Sequence, residues 1–144
     1  MPTACRLSQT LAVTMHWHQN LENPQAISSL FPGLDDLSLV ELHEVIVHRD
    51  GPLLRLRFDV QVVPESLPGR WPSDTNTTQI TLAAWGMEAL RILGWGTSVS
   101  GLLSVERRDN VRILSFTSEG CEIRAQYAGL RVEKVHGYAD QRDG

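Results

Sequence analysis

Residues 51–63, GPLLRLRFDVQVV, constrain the fold of this chain more than any other stretch. Leu54, Leu56, Phe58, Val60 and Val62 recur at every second position, with Arg55, Arg57, Asp59 and Gln61 between them. Successive side chains of a strand point to opposite faces, so this spacing makes one apolar and one polar face. On a helix the same residues would scatter around the circumference. The spacing predicts a long, half-buried strand over 53–63.

The same alternation recurs along the chain. Residues 37–49, LSLVELHEVIVHR, read as a strand with Val40, Leu42 and Ile46 on one face, and with Glu41 and Glu44 on opposite faces. The turn 49–52, RDGP, carries Asp-Gly at its centre and joins this strand to the next as a hairpin. Thr78, Ile80, Leu82 and Ala84 alternate inward over 77–85. Residues 89–95 fit either a strand or an extended helical turn. Residues 99–107 pair with 111–117 across Arg108-Asp109-Asn110. Cys121, Ile123, Ala125 and Tyr127 alternate again, and 130–138 supplies a last strand.

Asn23-Pro24 opens a short helix over 24–31, since Asn caps helices well and Pro is favoured in the first turn; Pro32-Gly33 stops it. About eight strands at intervals of eight to twelve residues predict an antiparallel β-sandwich or strongly curled sheet with one short N-terminal helix. One domain is expected over 15–138, with a flexible leader at 1–14 and a frayed tail at 139–144. An internal start at Met15 is compatible with the same pattern.

A chain of 144 residues can build a substantial core, burying roughly 70% of its unfolded surface. No apolar run reaches the about 20 residues needed to span a bilayer. The opening MPTACRLSQTLAVTM has too short an apolar stretch for a signal peptide. A cytoplasmic protein is therefore expected. Cys5 and Cys121 make no disulfide framework, and neither belongs to a CxxC pair.

The net charge of −4 is unevenly placed. Residues 1–50 carry six acidic groups against Arg6 and Arg49, and the remainder is balanced. An acidic face steers a basic partner and repels phosphates, which argues against nucleic-acid binding. Of thirteen basic residues only Lys134 is lysine, as a GC-rich genome would produce.

Signatures of catalysis are missing. There is no GxxxxGK[ST], no GxGxxG after a strand and no GxSxG. Asp35-Asp36 are neighbours in a turn, and Asp59 is expected to join a cross-strand ion pair beside Arg55 and Arg57. No zinc-ligand spacing links His16, His18, His43, His48 and His136. No enzymatic activity, metal or cofactor is expected. The longest break in pattern, 63–76, holds three prolines, one glycine and Trp71. Trp71 either anchors a partner or folds back over an open end of the sheet.

The order of features is informative as a whole. It runs HWHQNLENP (16–24), LHEVIVHRDGPLLRLRFDV (42–60), PESLPGRWPSDTNTTQITL (64–82), LGW (93–95) and VHGY (135–138). This order resembles the immunity protein 50 family of bacterial polymorphic toxin systems, from about Trp17 to Tyr138. The resemblance implies a cytoplasmic bacterial protein that binds and neutralises a cognate toxin domain, with no catalytic group of its own. It carries over no binding residue, because a toxin-facing surface should vary with the toxin.

The residues themselves suggest an interface that joins the acidic first third to the long loop: Asp35, Asp36, Glu41, Glu44 and Trp71. The rival reading is a small-molecule or carbohydrate-binding β-domain that uses exposed Trp residues among 17, 71, 85 and 95.

Overall fold

The computed structural model of the protein describes residues 17–31, 34, 37–96 and 99–140. The chain enters through a 3-10 turn, Trp17–Asn20, and a single α-helical turn, α1 (Gln25–Ser28). Eight strands follow: β1 (Leu37–His48), β2 (Leu53–Val60), β3 (Thr77–Trp85), β4 (Ala89–Leu93), β5 (Ser100–Arg108), β6 (Val111–Thr117), β7 (Glu122–Tyr127) and β8 (Gly129–Tyr138). The expected leader, 1–14, lies outside the described residues, as do 141–144 of the expected tail. No helix among the described residues is long and apolar enough to cross a membrane.

All eight strands form one open antiparallel sheet in the order β4-β7-β6-β5-β1-β2-β3-β8. Of the two expected forms, the curled sheet is the one built, and β1 explains how. Its first part pairs with β5, from Leu37 opposite Leu103 to Glu41 opposite Ser100. Its second part pairs with β2, from Glu41 opposite Asp59 to His48 opposite Leu53. One twelve-residue strand thus belongs to both halves of the sheet. Its register slips between Leu37 and Val40 and again between Leu42 and Glu44. Bulges of this kind bend a strand and increase its twist, which lets a single sheet fold around its own apolar face.

That face is the core. Leu42, Leu54, Phe58, Ile80, Leu82, Leu103, Leu114, Phe116, Ile123 and Leu130 come from both halves and join one buried cluster. The alternation read from β2 is observed, since Leu54, Leu56, Phe58 and Val60 are all buried. The strand is shorter than expected, however. It ends at Val60, and Val62 is exposed. Beyond its end, the hydroxyl of Thr78 donates to the Val62 carbonyl at 2.7 Å.

The N-terminal segment ties the halves together. The Asn20 side chain donates to the Val105 carbonyl of β5 at 3.5 Å. Three residues on, Asn23 donates to the carbonyl of Val132 in β8 and accepts from the same residue's N–H, both at 2.9 Å. The Glu22 N–H donates to the Leu130 carbonyl at 2.8 Å. Trp17, Leu21, Ile27 and Phe31 then enter the common core. Asn23 does not cap the helical turn, where no side-chain cap bond forms. Its amide serves β8 instead, and α1 is one turn long rather than the eight residues expected.

Residues 89–95 resolve as a strand. β4 pairs with β7 only and is one edge of the sheet.

Candidate functional site

One outer, polar face of the sheet is built by β1, β2, β3 and β8. Register places Glu41, Asp59, Gln79 and His136 in one row across β1, β2, β3 and β8. Glu44, Arg57, Thr81 and Lys134 form the next row. Strict alternation would have put Glu41 and Glu44 on opposite faces. The slip after Leu42 inserts His43 as an extra residue, so Leu42 opposes Phe58 while Glu44 opposes Arg57. Glu41 and Glu44 therefore share the outer face, and His43 projects there with them.

Asp59 is the centre of this face, and it is only 2% exposed. It does not pair with Arg55 or Arg57, as its neighbours in sequence suggested. Its Oδ2 accepts from His43 Nε2 at 2.9 Å and from the Tyr138 hydroxyl, and its Oδ1 accepts from Gln79 Nε2 at 3.0 Å. The arginines are engaged elsewhere: Arg57 Nε donates to Glu44 at 3.0 Å, and Arg55 forks onto both oxygens of Glu133 at 2.5 and 3.1 Å. Arg55 holds the Glu133 carboxyl below the usual range, and Glu133 in turn raises the Arg55 guanidinium. His136 sits beside Tyr138 with ring centres 6.2 Å apart. Burial, then the charge of Lys134, lowers its pKa, with Asp59 pulling the other way.

Glu41, His43 and Asp59 present ligand atoms within 4.8 Å of one another. A cation brought between them would have to compete with the three donors already on Asp59. Among the described titratable side chains of the core, Cys121 has its thiol pushed up by burial. Tyr127 is pushed up to about 12 for the same reason, with Arg112 opposing. Both stay neutral, which suits packing rather than nucleophilic chemistry.

Asp59 lies in the wall of a groove of about 780 Å³, which runs from Leu34 and Leu37 past Glu41 and His43 to Tyr138 and Asp140. A second groove of about 620 Å³ adjoins it, sharing Leu34 and Val62 and reaching Phe31 and Pro64. Neither lining contains a tryptophan.

Of the residues suggested for an interface, Glu41 and Glu44 are brought together on this face, with side chains 40% and 46% exposed. Asp35 and Asp36 lie outside the described residues, but Leu34 and Leu37 on either side both line the larger groove. Trp71 is only 6% exposed, and its ring lies against Gly137, where an added Cβ would come within 2.4 Å of it. Its indole N–H has no acceptor among the described residues. Trp85 donates to Glu22 at 2.8 Å, and Trp95 is half exposed after β4.

Sequence reasoning missed Asp59, His43 and Tyr138 as a group. The closing VHGY offered a hint, since its Tyr shares parity with His136 on the polar side of β8.

A family model described as Immunity protein 50 matches residues 23–138 of the chain. No curated protein and no solved structure matches it.

Proposed function

The chain belongs to the immunity protein 50 family, and from that premise we propose that it binds and neutralises a cognate toxin domain of a bacterial polymorphic toxin system. It does so in the cytoplasm by protein–protein contact, with no catalytic step of its own. The observation that carries this reading is the family match across 23–138, which takes in every strand of the sheet. The architecture suits the role. A sheet curled on one core is a stiff support, and the exposed positions of its polar outer face can vary without disturbing packing.

The toxin-facing surface combines the acidic first third with the face beside it: Asp35, Asp36, Glu41 and Glu44. Trp71 contributes by pinning the loop 61–76 to Gly137, so that the loop presents a fixed shape. Acidic groups at such a surface speed encounter with a cationic toxin domain and select against wrong partners.

Co-expression with the toxin domain encoded beside it tests this. Cells should survive only when this chain is present, and the two proteins should co-purify in fixed ratio. Reversing charge at Asp35 and Asp36 together should weaken binding. Unchanged affinity would remove those two residues from the interface, and failure of the chain to protect cells would end the reading itself.

A further inference from the structure

We propose that the Asp59 groove receives an arginine carried on a loop of the partner protein, with the guanidinium seated between Glu41 and Tyr138 above Asp59. This deepens the toxin-binding reading and rests on it for the partner's identity. Among the described residues that line the groove, Glu41 and Asp59 bring carboxyl groups side by side, and none is Lys or Arg. Arg57, on the same face, is turned to Glu44. The groove is therefore a negative concavity, where low-dielectric walls focus the field on an entering cation.

Asp59 contributes a buried carboxylate with no Lys or Arg among its described hydrogen-bond partners. Its donors are an amide, a phenol and an imidazole that is cationic only when protonated. Three of its acceptor positions are filled, so the incoming cation bonds chiefly to the half-exposed Glu41 and feels Asp59 through the field.

The rim decides between cations. Leu39 is 69% exposed and Val62 is 43% exposed, and both line the groove. Apolar rim residues and the Tyr138 ring suit a guanidinium, which is weakly hydrated, stacks on aromatic faces and rests on a long aliphatic stem. A lysine ammonium holds its water more firmly. The volume, about 780 Å³, is that of a pocket for a sizeable ligand, so a loop bearing the arginine fits better than a bare ion.

The test uses the full chain and two kinds of probe. In the first, the isotope-labelled protein is titrated with the blocked peptide acetyl-Gly-Arg-Gly-amide and followed by NMR. The same peptide with citrulline in place of arginine keeps the shape and removes the charge. Saturable shifts at Leu39, Glu41 and His43 with arginine, absent with citrulline and lost in Glu41→Gln, are expected. Equal shifts with both peptides, or none with either, would overturn the proposal. Tight binding of Zn²⁺ by the same residues that excludes the arginine peptide would also overturn it, in favour of a metal site.

In the second, affinity for the cognate toxin domain is compared between Leu39→Lys and Leu39→Glu. Position 39 is exposed, so neither change burdens folding. The lysine variant should bind about tenfold more weakly, while the glutamate variant binds as well as wild type or better. Wild-type binding with equal affinities in the two variants would refute the groove while leaving the immunity reading intact. Loss of wild-type binding altogether would refute the immunity reading, and the peptide titration would then decide the groove alone.

Discussion

Replacing Asn23 with Ala should loosen the strap that joins the N-terminal segment to β8. The side-chain amide makes two 2.9 Å hydrogen bonds to the backbone of Val132, one as donor and one as acceptor. Val132 is 7% exposed, so both backbone groups lose their partner where water reaches poorly. Each bond contributes about 1 kcal/mol net, and an unsatisfied buried group costs about 1–3 kcal/mol. The expected loss is about 2–3 kcal/mol, which for a chain of this length lowers Tm by about 5–10 °C.

Urea and thermal unfolding measure the loss, and hydrogen exchange localises it. The Val132 amide should exchange faster than in wild type, while the β2–β3 amides keep the rate set by global stability. Asn23→Asp provides an internal control. It retains an acceptor for the Val132 N–H but sets a second carboxylate oxygen against the Val132 carbonyl. Its stability relative to Asn23→Ala should recover as pH falls through the carboxyl range, because the protonated acid restores a donor. An Asn23→Ala protein within about 0.5 kcal/mol of wild type, with Val132 exchange unchanged, would refute the reasoning.

Gly137→Ala should destabilise by about 1–3 kcal/mol, because the new methyl group meets the Trp71 ring; proteolysis within 61–76 should increase with it. His136→Gln should flatten the pH dependence of stability. With its pKa held low in the fold, the unfolded chain takes up the proton first as pH falls. The stability from neutral His136 is complete above the ordinary histidine pKa and declines as pH drops below it toward the folded value, which urea titrations between about pH 7 and 5 can follow. Arg55→Gln should cost about 0.5–1 kcal/mol at neutral pH by loss of the Glu133 pair. That cost should vanish in acid, because the lowered Glu133 pKa makes the pair stabilising above the ordinary carboxyl pKa and ineffective once Glu133 is protonated.

Much of the sheet was legible because apolar alternation is a direct print of burial. The bounds read for 77–85 and 111–117 are those observed. What alternation cannot show is an inserted residue. The tripeptide Leu42-His43-Glu44 reads as ordinary in–out–in, yet Glu44 faces outward because His43 is extra to the ladder. Asp59 was misplaced for a different reason. Its neighbours in sequence are arginines, but the donor that caps it, Tyr138, lies 79 residues away and arrives through β8. Trp71 falls between these cases. Its loop was evident from three prolines, whereas its seat on Gly137 depends on a contact that no local pattern encodes. Helix α1 starts where Asn23-Pro24 suggested but stops at Ser28, and Asn23, read as its cap, bonds β8 instead.

The occupation of β8 by Glu22 and Asn23 also bears on growth of the sheet. A strand edge with open N–H and C=O groups templates further strands, and a protein open at both edges can polymerise without limit. Here the outward edge of β8 is taken at Leu130 and Val132, and the slip in register before Lys134 twists the rest away from a flat template. The opposite edge is β4, which pairs with β7. Strand addition at β8 therefore meets an obstacle along Leu130–Val132. The strap that braces the fold thus also blunts one edge of the sheet.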